Sequence, residues 1–330
     1  MKVSRAVVAK RAGVTPTTVT CVLNGTRPVS DKVKARVMAA VEELNYVPDV
    51  AARTMSGKGS NQIAIVVDDL QNPFFAELVA SMEAAGSEKG FFVSICGRVN
   101  MAKYTSHIIA HNIDGVYFCS EIKESEAKYV ESLLYNDIKV LTGPRFHCFQ
   151  ERISLIDMAT GQAIADAVDY LYKNGHQKIA FISSFAYDSN QDDRLVCYEK
   201  RMREKGLKPQ MFCPDETVIA TIEHGKQMFD TIPIDEMPTA IIGVNDLVAI
   251  GAMCRAQERG FSVPQDISFV GIDGIQLAEL VSPKLTTFRS NAEKLGRIAF
   301  QMLYDLIQGK NVQSYNHKMT LCERESVLKI

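Results

Sequence analysis

A chain of 330 residues with 46% apolar and 23% charged side chains has room for two or three domains and the composition of a globular protein. It holds no run of about 18 apolar residues, and its opening "MKVSRAVVAKRAG" is too polar for a secretory signal, so a cytoplasmic protein is expected rather than a membrane or exported one. The formal charge of −2 conceals a division: residues 1–60 carry ten Lys/Arg against four Asp/Glu, and the rest carry 27 against 35, a basic head suited to a polyanion on an acidic body.

The elements of the head follow from caps and apolar spacing. Ser4 is placed to cap a helix running to about Ala12, with Val8 and Ala12 on one face, and Gly13 breaks it. Thr15 then offers an N-cap and Pro16 suits the first helical position, where a missing N–H is harmless. In this second helix Val19, Val22 and Leu23 form the apolar stripe. Pro16, Thr17, Thr20, Cys21 and Asn24 share the opposite face at about 3.6 residues per turn. Asn24-Gly25 ends it. Ser30 is placed to cap a third helix over roughly 31–45, whose Val33, Val37, Val41 and Leu44 complete a small core. Three short helices with a tight turn between the first two make a helix-turn-helix pattern, which other compact three-helix domains share. The segment "PDVAARTMSGKG" (48–59) is too short to hold as an isolated helix in water.

Along the body, short β-rich runs alternate with helical patterns. The runs are "QIAIVV", "FFVSIC", "GVYFCS", "IKVLTG", "KIAFIS", "TAIIGV" and "ISFVGI"; helices are expected over 74–89, 124–136, 161–174, 246–259 and 291–308. Such alternation predicts an α/β body of parallel sheets with crossover helices. A weak internal echo between "GFFVSICG" and "HQKIAFISS" suggests two similar lobes. The eight cysteines (21, 96, 119, 148, 197, 213, 254 and 322) are scattered without CxxC, which reads as reduced thiols and neither a zinc site nor a disulfide framework. No cofactor motif is present: GxGxxG, GxxxxGK[ST] and GxSxG are all missing. His107 and His111 stand at i, i+4, but without HExxH or a third ligand they read as a helix face rather than a metal pair. Residues at the C-terminal ends of the strands are the natural cleft candidates. Asp69 and the Phe74-Phe75 pair follow the first strand, Asn245-Asp246 ends "AIIGVND", and Asp273 ends "SFVGIDG"; Arg194 lies in "QDDRLVCYEKRM". An aromatic plane, a guanidinium, an amide and carboxylates suit a polyol or sugar. Asp246 has a second reading as the cap of the next helix, Phe75 reads as core, and Arg194 has a second reading in a surface salt bridge.

The text "VAKRAGVTPTTVTCVLNGTRPVSDKVKARVMAAVEELNYVPDVAARTMSGK" closely resembles the headpiece of the lactose/galactose-repressor family of bacterial transcription regulators. The family pattern V-A-x-x-A-G-V-S-x-x-T-V-S-x-V-L-N-G is matched nearly throughout. In the body, "VVDDLQNPFFAEL", "IDGVYF", "NGHQKIAFIS", "PTAIIGVNDLVAIGAM", "GFSVPQDISFVGIDG", "SPKLTTF" and "ERES" extend the resemblance over essentially the whole chain. It implies three parts: a helix-turn-helix headpiece (1–46), a hinge helix or linker (47–60), and a two-lobed effector-binding and dimerisation domain like a periplasmic sugar-binding protein (61–330). Lobe crossovers are implied near 157–160, 286–290 and 318–320.

The resemblance further implies an allosteric DNA-binding regulator, most naturally a repressor and not an enzyme, acting as a homodimer on a pseudopalindromic operator in double-stranded DNA. A small-molecule effector, a sugar or sugar derivative being favoured over a nucleobase-like corepressor or a protein partner, would shift the lobes and so the headpieces. Ser4, Thr15, Pro16, Thr17, Thr20, Cys21 and Asn24 are implied at DNA, with Arg53 and Met55 on the hinge and Met55 as the minor-groove wedge. Phe74, Arg194, Asn245 and Asp273 are implied at effector, with Phe74 as an aromatic wall, and Asp69 joins them as an effector candidate by its place after the first strand. No trailing Leu heptads follow "ERESVLKI", so a dimer is expected rather than a tail-linked tetramer.

Several departures from the pattern stand out. The recognition face offers Pro16, Thr17, Thr20 and Cys21, where the family commonly has a long polar residue and an Arg, so no bidentate guanine contact is available and an unusual half-site is expected. Cys197 stands where a Gly is usual, and "GIDG" puts Gly274 where a polar residue is usual. The segment "GRVNMAKYTSHIIAHNIDG" is shorter than the family's. A solute-binding protein of the same body plan would lack the basic head.

Overall fold

The computed structural model describes residues 3–25, 27–46, 59–97, 100–119, 122, 124–143, 153–187 and 192–330. The chain divides into two units, Met1–Ser60 and Asn61–Ile330. The hinge positions Arg53 and Met55 lie outside the described residues.

Three helices build the first unit: α1 (Arg5–Ala12), α2 (Pro16–Asn24) and α3 (Asp31–Glu43). Gly13 at φ 64° and Gly25 at φ 62° end the first two in the left-handed region, which glycine enters without steric cost. Val8, Ala9, Ala12, Val19, Val37, Ala40 and Tyr46 form the core, and Val22, Leu23, Val33, Val41 and Leu44 pack around it. Two expected side-chain caps take another form. Neither Ser4 nor Ser30 makes a side-chain cap bond; each instead receives helix N–H groups on its carbonyl, Ser4 from Val7 and Val8 and Ser30 from Val33 and Lys34.

The second unit contains two six-stranded sheets among the described residues. The first is built from β1 (Gln62–Val67), β2 (Phe92–Gly97), β3 (Gly115–Phe118), β4 (Lys139–Thr142), β5 (Ser154–Asp157) and β11 (Tyr315–Asn316), in the order β11-β5-β4-β3-β1-β2. The second is built from β6 (Ile179–Ile182), β7 (Gln210–Phe212), β8 (Ala240–Gly243), β9 (Ser268–Asp273), β10 (Thr286–Arg289) and β12 (Thr320–Cys322), in the order β12-β10-β9-β8-β6-β7. All pairings are parallel except β10 with β12. Connecting helices are α4 (Pro73–Glu88), α5 (Met101–Ala110), α6 (Ala127–Tyr135), α7 (Thr160–Lys173), α8 (Asp193–Glu204), α9 (Ile222–Asp230), α10 (Asp246–Glu258) and α11 (Ala292–Ile307). β1, β3, β6, β8 and most of β9 are buried at nearly every position. That is why they read as continuous apolar runs rather than alternating ones.

The chain leaves the first sheet between β5 and α7, returns between β10 and α11, and leaves again between β11 and β12. Helix α11 therefore caps the first sheet although it follows a strand of the second. Leu295, Ala299, Phe300 and Leu303 join Leu78, Met82 and Ala85 of α4 in one core. Close helix packing in the second lobe depends on Gly251: a Cβ there would sit 1.9 Å from the Ile222 carbonyl oxygen.

In both sheets the order reverses at one point, between β1 and β3 and between β6 and β8. In open parallel sheets, ligands bind outside the strand C-termini at that switch. The carboxyl ends of β1 and β3 in one lobe and of β6 and β8 in the other, with that of β9 alongside β8, are therefore where a ligand is expected.

Candidate functional site

On the first unit, α2 is held by its start. Thr15 is extended at φ −82°, ψ 156°, and its hydroxyl accepts the Thr18 N–H at 3.2 Å. Pro16 follows at the first helical position. Thr15, Pro16 and Thr17 are exposed, while Thr20 and Cys21 are half-buried. Thr20 is engaged within the protein: its hydroxyl donates to the Pro16 carbonyl at 3.0 Å and accepts from Arg5 Nη1 at 3.2 Å. Arg5, which the sequence pattern did not single out, thus ties α1 to the candidate reading face. Arg11 is spent on Glu43, at 2.8 Å. The side chain of Asn24 lies outside the described residues.

In the second unit, Asp273 ends β9 at φ 115°, a backbone conformation that is strained for any residue with a Cβ and that concentrates at binding sites. Asn72 Nδ2 donates to its Oδ2 at 3.2 Å. Burial raises the Asp273 carboxyl to about 7, against the opposing pull of the Asn72 hydrogen bond and the Arg194 charge. Asp246, the first residue of α10, is completely buried. It accepts from the Ile275 N–H at 2.8 Å and the Thr287 hydroxyl at 2.5 Å. Burial, reinforced by the neighbouring Asp273 charge, holds its carboxyl well above the usual range.

Arg194 opens α8 and forms a bidentate pair with Asp192, with Nε to Oδ1 at 3.0 Å and Nη2 to Oδ2 at 2.9 Å. Its guanidinium stacks 4.5 Å above the Phe185 ring. Burial acts to lower its pKa, and Asp192, helped by Asp273 and Asp68, more than offsets this. One cation thus stands among three carboxylates, its own charge already matched by Asp192. Such a place disfavours a further anion and suits hydroxyl or N–H donors.

The other expected residues fall as follows. Asp69 is half-buried and accepts the Gln71 N–H at 2.8 Å. The burial of the two phenylalanines runs opposite to expectation. Asn72 and Pro73 set the phase of α4 so that Phe74, Leu78 and Met82 share the inward face, leaving Phe74 5% exposed in the core. Phe75 is the half-buried ring, edge-on to it at 5.3 Å. Asn245, rather than Asp246, caps α10: its Oδ1 accepts the Val248 N–H at 2.9 Å and its Nδ2 donates to the Ala220 carbonyl at 3.3 Å. One amide hydrogen and part of the carbonyl's acceptor capacity remain beyond these two bonds.

The departures at 197 and 274 have physical reasons. A Cβ on Gly161 of α7 would lie 2.9 Å from Cys197 Sγ, so a glycine on the neighbouring helix leaves room for the thiol. At Gly274, φ is +74° and a Cβ would approach Arg289 Cα to 2.6 Å, which leaves no space for a side chain. No disulfide joins the described cysteines. His107 and His111 stack in parallel at 5.8 Å, and no group of three potential metal ligands occurs among the described residues. Among those residues, too, no helix is long and apolar enough to cross a membrane.

Three residues that touch the candidate side chains were not singled out in the sequence: Asn72, Phe185 and Asp192. Asn72 and Asp192 carried local signals, since an Asn before Pro and an Asp before a helical run each announce a helix start.

Residues 7–49 match the family model described as bacterial regulatory proteins, lacI family. Residues 168–327 match that of a periplasmic binding protein-like domain. The HTH-type transcriptional repressor PurR of Edwardsiella ictaluri (strain 93-146) is 32% identical over 328 residues, covering 97% of this chain and 95% of its own. Among solved structures, a lac repressor dimer bound to operator and the anti-inducer ONPF superposes with a TM-score of 0.83 at 24% identity, covering 99% and 100% of the two chains. A lacI-family regulator, CCPA, from Weissella paramesenteroides with bound glucose superposes with a TM-score of 0.71 at 24% identity, covering 82% and 99%.

Proposed function

The chain belongs to the lacI family of bacterial regulatory proteins, and from that premise we propose that it is a repressor whose grip on operator DNA is set by an uncharged, hydroxyl-rich ligand held between the lobes. As a member of that family it is a DNA-binding transcriptional regulator and not an enzyme. The observation that carries the ligand reading is the convergence of Asp273, Arg194 and Asn72 at the strand C-termini of both lobes, with Arg194 already neutralised by Asp192. The glucose-bound regulator of the same fold supports a sugar or sugar derivative.

In this reading the polar anchors are Arg194 and Asp273, with Asp69 and one amide hydrogen of Asn245 beside them. Phe74 supports the wall from within the core. The exposed start of α2 meets the major groove through Pro16, Thr17 and Cys21, with Thr20 and Asn24 next to them. Ser4 offers an uncommitted hydroxyl to a phosphate. Thr15 aims the helix N-terminus, whose partial positive charge favours a backbone phosphate. Arg53 and Met55 act in the hinge segment 47–60, with Met55 wedging the minor groove. Two copies of the chain place two such headpieces on a two-fold operator, as in the lac repressor dimer bound to operator. The domain division 1–46, 47–60 and 61–330 follows these roles, and a cytoplasmic location follows from the DNA target.

Selection of duplexes from a random pool by the full chain tests the DNA side. Enrichment of a two-fold symmetric site supports it, and an unenriched pool contradicts it. Thermal shift of the full chain against uncharged and phosphorylated sugars tests the ligand side. A phosphorylated sugar that outbinds its uncharged parent overturns the charge argument.

A further inference from the structure

Asn72 occupies an unusual position. It is 5% exposed, and both ends of its amide are engaged on different parts of the molecule. Oδ1 accepts the Phe74 N–H at 3.0 Å and so caps α4 of the first lobe. Nδ2 reaches 201 residues along the chain to Asp273 Oδ2 in the second lobe. The cap fixes the side chain, so the donor is aimed before any ligand arrives. The charged neighbours of Asp273 are Arg194 on α8 and Asp246 on α10, and Arg194 in turn feels Asp192 and Asp68; Arg289 of β10 is the register partner of Asp273.

We propose that Asn72 is a positioning residue of the ligand cleft, a cross-lobe latch that holds the Asp273 carboxylate for the ligand and makes the closed arrangement of the lobes depend on that contact. Asp273 presents acceptor capacity beyond the one hydrogen it takes from Asn72. A ligand hydroxyl donating to that capacity strengthens the pair without displacing it. A ligand that brings negative charge competes with Asp273 for Asn72 and Arg194 and loosens it. This role rests on the cleft being the ligand site. The latch itself can be measured without any ligand.

The test separates the cap from the latch. Asn72→Asp keeps an equally good capping oxygen but turns a carboxylate toward Asp273 in place of a donor. In the full chain at pH 8 the thermal midpoint of this variant is expected to fall by roughly 5–10 °C, the scale of a buried like-charge pair in a domain of this size. Most of that loss returns at pH 5.5, where the two carboxylates share a proton. In an Asp273→Asn background, where the residue-273 amide can donate back to the new carboxylate, Asn72→Asp costs less than about a third as much, the non-additivity expected of residues in contact.

A purely capping role predicts that Asn72→Asp tracks the parent at both pH values, and that result overturns the latch. So does an equal cost in both backgrounds. Should Asn72→Asp fail to fold, Asn72→Ser retains a capping oxygen and lacks the reach. Its midpoint loss must then shrink in the Asp273→Asn background, and an unchanged loss sinks the proposal. Failure of the ligand reading would look different: no metabolite shifts the parent protein, while the cycle between residues 72 and 273 still shows coupling.

Discussion

Replacing Asp273 by Asn removes a carboxyl that burial raises to about 7 from an ordinary 3.8. A carboxyl raised in the folded state binds a proton there that the unfolded chain has released. The stability linked to it is present at low pH and is lost as pH rises from about 4 to about 7, after which it stays flat. A shift of about three units at 1.36 kcal/mol each gives an upper value of about 4 kcal/mol, and partial exposure of the side chain reduces it. For a body of this size that corresponds to a midpoint difference of roughly 5–8 °C. Denaturation of parent and Asp273→Asn full-length chains between pH 4 and pH 8 reads the difference together with the accompanying change at Asp246, whose carboxyl the Asp273 charge also raises. The variant is expected to gain on the parent steadily up to pH 7 and then hold its lead. A difference that does not change with pH refutes the reasoning. A parent that gains on the variant above pH 5 would mean that Arg194 outweighs burial, and that Asp273 is an ordinary ion-paired carboxylate.

Thr15→Ala removes the oxygen that accepts the Thr18 N–H and should cost the headpiece about 1 kcal/mol, with Thr15→Ser nearly neutral, as read from its thermal transition by circular dichroism. Gly274→Asn forces a Cβ to within 2.6 Å of Arg289 Cα and should destabilise the body by about 1–3 kcal/mol in urea; a neutral outcome would show that the β9–β10 edge yields easily. Burial lowers the pKa of His176, with the Leu328 carbonyl opposing, so the stability it supports is present above about 6.5 and falls as pH drops below that; His176→Gln should flatten that part of the pH profile. Cys21→Arg should change the preferred half-site in a duplex selection by supplying a guanine-reading side chain, and an unchanged preferred sequence would show that this face does not read bases.

How much was legible in advance divides along physical lines. The helices of the head and the buried strands announced themselves because each has its own local signature: Thr15-Pro16 for a start, Gly13 and Gly25 for stops, and unbroken apolar runs for β1, β3, β6 and β8. The short strands β5, β10, β11 and β12 did not, since two to four residues at a lobe crossing carry no period. The cleft was half legible. Arg194, Asn245 and Asp273 sit where strand ends and motif text put them, but the state of each depends on partners far away in sequence. Asp192 neutralises Arg194, the Ala220 carbonyl occupies Asn245, and Asn72 comes from the other lobe. Phe74 and Phe75 are adjacent and chemically alike. Only the phase of α4, fixed by its Asn72-Pro73 start, decides which of them is buried. Likewise the reach of Arg5 to Thr20 needs the packing of α1 on α2, which no pattern within either helix reveals.

Ligand control of DNA binding is the property on which the proposed function of this protein rests. Full-length protein bound to its selected duplex should be titrated, at fixed salt, with uncharged sugars and small polar metabolites while the bound fraction is followed by fluorescence anisotropy. At least one uncharged, hydroxyl-rich compound is expected to change the affinity at least several-fold, and Asp273→Asn is expected to abolish that change. DNA binding that no metabolite alters, or a response that survives Asp273→Asn intact, would contradict the proposed function.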